Sequence, residues 1–383
     1  MSDALYLSAG FLLGFLGGLL PGLHSNTMIS VLSSLGLDEH ALAFMVMTLF
    51  PAHLVSSFIP SMFFGIPESG TVMAVLPGQR MVLSGRGLSA LKTVLASCML
   101  TALLSLALFP VSLDFFPVVY GVLRPHMGWV LLAVSVVLLV RGKRPFHGAV
   151  VFIAAGMLGK AAFGMEMADP FLPLFSGMFA MAAVMSYQQG NVPEQKDEPA
   201  EPGILRYVLV GTLCGMCALM IPGVGSPSQV AVFASIFMPF ETMGYLALVS
   251  AISMSQGLLS FSTAASIGKS RVGATAWLSS LIDIESNLVL LAVMFLLSIA
   301  LAALLAYAMR KAIGRIASLD FSAMNLILAL YIVAVTLVID GPVGLLVLSG
   351  GAALGWLTIR MGVERTSLMG ALIVPTLLLL FRI

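Results

Sequence analysis

Two Pro-Gly pairs, Pro21-Gly22 and Pro222-Gly223, stand 201 positions apart, and each interrupts an apolar run. The first is followed by His24, Ser25, Asn26 and Thr27, the second by Ser226, Ser228 and Gln229. Short hydroxyl and amide side chains beside a helix break can hold an anion, and the loose N–H groups of a helix start add to them without any charged side chain. The plainer alternative is that Ser and Thr bond their own helix backbone and Pro-Gly merely kinks a span. A second pair of interruptions accompanies the first. PSMFFGIPESGT (60–71) holds Glu68, Ser69 and Thr71, and FSTAASIGKSRVGAT (261–275) holds Lys269, Ser270 and Arg271. Both read as re-entrant or unwound segments, or as loops at the interface. Lys269 or Arg271 in a cavity would favour an anionic solute. His24 and Glu68 are the candidates for coupling, by carrying a proton or helping to hold a cation. His53 is a candidate proton relay and Gln256, nearly its counterpart, a candidate solute contact.

These residues must be positioned by a membrane protein. The chain has 383 residues, 60% hydrophobic and only 9% charged, with mean hydropathy +1.07. A soluble domain carries roughly 25% charged residues. The apolar runs suit helices, not the alternating strands of a barrel. The net charge of +1 gives no reason to expect a nucleic-acid partner. Cys98, Cys214 and Cys217 sit in apolar runs; the CxxC spacing of the last two has no second ligand pair, so they read as small core residues and no metal is expected. His40, His126 and His147 read as loop residues. No P-loop, zincin helix or nucleophile elbow is present, so neither ATP drive nor an enzyme activity is expected.

One polar stretch, QQGNVPEQKDEPAEPG (188–203), divides the chain. It reads as a cytoplasmic linker between a first transmembrane repeat, 1–187, and a second, 204–383. Aligning Pro21 on Pro222 sets an offset that carries the loop at 141–144 onto 342–345. Charge orients the halves, because cytoplasmic loops carry excess Lys and Arg. RGKRPFH (141–147) is basic and FPVSLDFFP (109–117) has no basic residue, whereas RKAIGR (310–315) is basic and IDGPVG (339–344) is not. Equivalent loops therefore fall on opposite sides, as in an inverted repeat. The segment 4–37 is too short for two full spans, which need roughly 40 residues. A hairpin of two short legs fits it and its counterpart 206–239, with two tightly packed crossings as the alternative. The expected fold is all-α and polytopic: two inverted-topology repeats, each of about five transmembrane helices plus one or two re-entrant helical hairpins.

GFLGGLLPGL near the N-terminus, GIPESGTVMAVLPGQRMVLSGRGLSAL (65–91) and IPGVGSPS (221–228) resemble the large membrane subunit of the tripartite tricarboxylate transporters, the TctA-like permeases. The resemblance implies a secondary carboxylate transporter working with a small membrane subunit and a periplasmic binding protein. Ser25-Asn26-Thr27 is also similar to the hairpin-tip motif of divalent-anion/sodium symporters. PGVGSPS resembles the PGVSGGT of membrane proteins that recycle polyprenyl phosphate, which gives a lipid-phosphate flippase as the second reading.

The expected function is secondary active transport of a small carboxylate by alternating access in the plasma (inner) membrane. Sodium or proton would drive it, and no cofactor is expected. Membrane lipids and a second copy in a homodimer complete the expected partners.

Overall fold

The computed structural model describes the backbone of residues 3–20, 23–65, 71–186, 192–221, 227, 230–231, 234, 241–317 and 321–382. Pro21, Gly22, Glu68, Ser69, Pro222, Gly223, Ser226, Ser228 and Gln229 lie outside the described residues, as does most of the second leg of 206–239.

In the first half, α1 (Asp3–Leu19), α2 (Ser25–Ser34), α3 (Glu39–Ser56), α4 (Phe58–Phe63) and α5 (Val72–Leu83) lead to α6 (Gly87–Leu123). Then come α7 (Met127–Val140), α8 (Pro145–Phe163) and α9 (Phe171–Phe175), which passes through a π turn (Ser176–Met181) into α10 (Ala182–Met185). The second half holds α11 (Leu205–Ala218), α12 (Thr242–Ile267), α13 (Gly273–Leu281), α14 (Leu288–Ala317), α15 (Phe321–Arg360) and α16 (Gly370–Phe381). Among the described residues there is no strand, and six helices are long and apolar enough to cross a membrane. They are Glu39–Phe63, Gly87–Val140, Pro145–Phe163, Thr242–Ile267, Glu285–Ala317 and Ala329–Arg360. The shorter apolar helices are Asp3–Leu19, Phe171–Met185, Leu205–Ala218 and Arg365–Phe381.

Helix α15 is two helices. Gly341 sits at φ 65°, ψ −161°, a conformation that a side chain would strain. A Cβ on Gly344 would lie 3.0 Å from the Thr336 side chain, although eight residues along one straight helix span about 12 Å. The chain therefore folds back at Gly341.

Small residues set the packing. Cβ atoms on Gly10 and Gly14 would lie 2.2 and 2.1 Å from the backbone oxygens of Met45 and Leu49, so α1 runs parallel to α3 with the backbones in contact. Gly211 and Gly215 repeat this against Leu248 and Ile252, so α11 runs parallel to α12. Parallel neighbours this close in sequence require the chain to return between them, and α2 does so in the first half. The ends of that excursion meet where His40 Nε2 lies 3.0 Å from Asp3 Oδ1. In the second half Tyr207 packs on Gly244. Across the halves, Ser97 Oγ donates to the Ala247 carbonyl at 2.7 Å and Ser112 Oγ to Ser262 Oγ at 2.8 Å. α6 is thus parallel to α12. Leu88 at the start of α6 packs on Gly314 at the end of α14, so these two are antiparallel.

Four expectations are corrected. The segment 109–117 is not a loop, because α6 continues through Pro110 and Pro117. Each proline removes one ladder bond, a smaller loss in hydrocarbon than unwinding a whole turn. In 261–275 the chain stays helical to Ile267, and only 268–272 breaks. His40 and His147 lie in the first turns of α3 and α8 and His126 in a 3-10 turn, while Cys217 is exposed rather than core.

The stretch 192–203 is strapped to the bundle, not free. Gln195 accepts the Gly87 N–H at 2.9 Å, and Ser89 donates to the Pro199 carbonyl at 2.6 Å. Asp197 pairs with Lys92 of α6 at 2.5 Å and Arg310 of α14 at 3.3 Å, and Arg86 pairs with Glu201 at 3.0 Å. Hydrogen bonds from Lys92 and Arg310 hold the Asp197 carboxyl below its usual range.

Two outcomes follow from this packing. Gly14→Val forces α1 off Leu49 and lowers stability by about 1–3 kcal/mol, read as detergent-solubilised thermal unfolding. Gly121→Ala, with nothing within 4 Å of the added methyl, does not lower it. Because the Asp197 pKa is depressed on folding, its contribution is present above the unfolded value of about 3.9 and is lost as pH falls below it. Asp197→Asn should therefore cost about 0.5 kcal/mol at pH 7, a half-exposed pair's worth, and the gap to wild type should narrow steadily as pH falls below about 3.9.

Candidate functional site

The break after α1 is held from outside its own segment. His24 is extended and caps α2, its Nδ1 accepting the Asn26 N–H at 3.2 Å. The neutral ring therefore carries its proton on Nε2. His53, buried in α3, donates from Nε2 to the Leu23 carbonyl at 2.9 Å, and the two imidazole centroids are 6.2 Å apart. Ser25 and Thr27 are buried, and Asn26 is half-buried.

Thr27 faces a residue that sequence reasoning did not single out. Its hydroxyl donates to the carboxylate of Asp169, in the connection between α8 and α9. The other oxygen of Asp169 accepts the Phe171 N–H at 3.1 Å and turns the chain into α9. The Asp169 N–H donates at 2.8 Å to Oδ1 of Asp340, the residue before the Gly341 break. Thr27, Asp169 and Asp340 thus join the first turn of α2, the α8–α9 connection and the broken end in α15. The signal for both carboxylates was present in MADPF and VIDGPVG, acids next to Pro or Gly within apolar surroundings.

On its other side the α2 turn meets the second half. A Cβ on Gly273 would lie 2.3 Å from the side-chain amide of Asn26, so the α2 turn and the start of α13 are in direct contact. The preceding residues 268–272 carry the predicted cations. Lys269 is exposed, and Ser270 Oγ pairs with Ser279 Oγ at 2.9 Å. The Arg271 guanidinium lies 5.8 Å from the ring centroid of Tyr120 on α6, with Nε buried and unpartnered. Thr71 is buried and hydrogen-bonded to Ser61, and the second half has a similar link, Ser260 to Thr275 at 2.6 Å. Gln256 is buried in α12 with Nε2 unpartnered. The structure therefore gathers His24, Ser25, Asn26 and Thr27 with the start of α13, and leaves Lys269 at the surface. Among the described residues no three His, Cys, Asp or Glu side chains are placed to hold a metal ion.

A hydrogen bond to a carboxylate contributes about 1.5–3 kcal/mol. Thr27→Val should lose that much in thermal unfolding and Thr27→Ser should keep most of it. Thr27→Val combined with Asp169→Asn should cost less than the two singly, since both remove one interaction.

The sequence signature of the Tripartite tricarboxylate transporter TctA family matches residues 4–203. The chain is also 22% identical, over the full length of both, to the uncharacterized protein MJ1079 of Methanocaldococcus jannaschii. No solved structure matches. The family is one of transporters rather than enzymes, part of a tripartite system with a binding protein and a small membrane subunit. A multi-pass helical membrane protein matched over more than half its length by this signature has a clear affiliation: the chain belongs to the Tripartite tricarboxylate transporter TctA family.

Proposed function

We propose that the chain moves a small organic anion of the carboxylate class across the plasma membrane by alternating access, driven by sodium or proton. One observation carries the reading: the first turn of α2 already holds a carboxylate, that of Asp169, on the Thr27 hydroxyl. A helix N-terminal turn built from Ser25, Asn26 and Thr27 suits the same group on a passenger.

In this reading the halves form an inverted repeat. The antiparallel pairing of α6 with its counterpart α14 supports it, as do α1 and α11, which start from opposite ends of the bundle. The segments 4–37 and 206–239 are each a re-entrant hairpin, and the division at 188–203 separates the two repeats. Arg86, Lys92 and Arg310 lie on the face covered by the linker, which makes that face cytoplasmic by the positive-inside rule. Pro222, Gly223, Ser226, Ser228 and Gln229 complete the proposed solute site together with Pro21 and Gly22. Ser69, Thr71, Lys269, Ser270 and Arg271 flank the tips, with His24 and Glu68 in coupling roles. The binding protein and small membrane subunit of the family deliver and support, and a homodimer is the expected assembly.

The test is uptake of labelled tricarboxylates into proteoliposomes with and without a sodium or pH gradient. Ser25→Ala, Asn26→Ala and Ser228→Ala should each reduce uptake at least about tenfold, the loss of roughly 1.4 kcal/mol of binding, at unchanged expression. Wild-type uptake by all three removes the site from the tips. Translocation of a labelled polyprenyl phosphate without uptake of soluble acids would establish the flippase reading instead.

A further inference from the structure

The break at Gly341 carries more than a change of direction. Thr336 and Asp340 are one turn apart on the helix that ends there, and both crowd Gly344 on the returning helix. Thr336 is 0% exposed and its Oγ1 has no hydrogen-bond partner. Asp340 is 7% exposed and its Oδ2 also has none, while Oδ1 is taken by the Asp169 N–H. Burying an unpaired hydroxyl costs about 1–3 kcal/mol and an unpaired carboxylate more. Two such orphans one turn apart on a single helix call for a shared partner. Among the described residues, the ion pairs found leave out Asp340 and Asp169, and His24 is the titratable group that interacts with Asp169. The last carbonyls of a broken helix point at the same end, which is also the negative end of its dipole.

We infer that Asp340, Thr336 and the helix end at Gly341 form a binding site for a small alkali cation, sodium, linked to the α2 turn through Asp169 and Thr27. The donors are all oxygen, as a hard cation requires. A proton would neutralise the carboxylate alone, whereas a cation satisfies the carboxylate, the hydroxyl and the carbonyl ends together. Discontinuous helices use their C-terminal ends for sodium in this way. Asp169 bridges the two places: its N–H holds Asp340 and its carboxylate holds Thr27. The remaining titratable groups facing this cluster are His24, beside Asp169, and His53 behind it. The inference deepens the transport reading by naming the coupling ion and its ligands, and its link to the solute site rests on that reading.

Cation binding is tested on the purified full chain in detergent, with no solute present. Labelled sodium binding and thermal unfolding are followed as sodium replaces choline at constant ionic strength. Wild type should bind sodium saturably and gain stability from it. Asp340→Asn and Thr336→Val should each raise the half-saturating concentration at least about tenfold. Thr336→Ser should stay near wild type, as should Ser349→Ala, whose hydroxyl only bonds back to Leu345. If Asp340→Asn does not fold, the isosteric Thr336→Val and the wild-type titration decide the matter. Absence of sodium binding in wild type, or unchanged binding in Thr336→Val and Asp340→Asn, overturns the assignment. Stabilisation by acid alone, lost in Asp340→Asn, makes the ion a proton and overturns it equally. Because no solute enters the measurement, unaffected uptake by the tip variants would defeat the transport site without touching this result.

Discussion

A helix can stop inside apolar surroundings only if something else takes up its loose backbone groups, since each one left unpaired there costs about 2–7 kcal/mol. That constraint organises this molecule. Leu23, just before α2, gives its carbonyl to His53 from α3. The Asn26 N–H goes to the His24 ring. The chain leaving α8 gives the Asp169 N–H to Asp340, at the end of a helix 171 residues away in sequence. Neither break is completed by local contacts alone. Beyond the local His24 cap, they are completed by side chains from other helices, His53 of α3 and Asp340 of α15, so the irregular segments take their positions in part from the regular ones.

The regular part is built by close approach of backbones. Gly10 and Gly14 on α1 and Gly211 and Gly215 on α11 let parallel helices touch without intervening side chains. Between helices bathed in lipid no hydrophobic force draws surfaces together, and contact of this kind is what remains. The α1–α3 and α11–α12 pairs are therefore closely interlocked along their length. The α2 turn is held by fewer and more directional links: Thr27 to Asp169, and Asn26 against Gly273. In the proposed alternating access, the links at the turn are what can exchange while the glycine-packed pairs move intact.

Much of this was legible in the sequence because it was local. Pro21-Gly22 flanked by His24 and Ser25 marks a break, and 188–203 stands out as polar. What was not legible depends on tertiary context. Pro110 and Pro117 signal a loop, yet the helix runs through both because unwinding in hydrocarbon exposes more groups than two prolines do. The acidic residues of 194–201 read as solvated linker, but Asp197 finds Lys92 and Arg310, one from each half. Asp169 and Asp340 form no motif. Only the fold brings them together, and their sole advance notice was charge in an apolar setting.

That pair of carboxylates also bears on which way coupling must run. With a net charge of +1 the chain has no general excess of either sign, and the ion pairs found among the described residues involve the linker or the bundle ends. An anion approaching the α2 turn meets Asp169 first and Asp340 behind it. Two unit charges about 8 Å apart repel by roughly 2 kcal/mol at an effective dielectric of 20, and two carboxylates about double that. A helix N-terminus returns only about 0.3–1 kcal/mol, up to 2 in a buried setting. The balance is unfavourable for an anion alone and close to neutral once one positive charge sits with the aspartates. In the proposed mechanism a cation at Asp340 is therefore the condition for an anion to occupy the neighbouring turn, and the order of binding, cation before solute, follows from the sign of the local field rather than from any moving part.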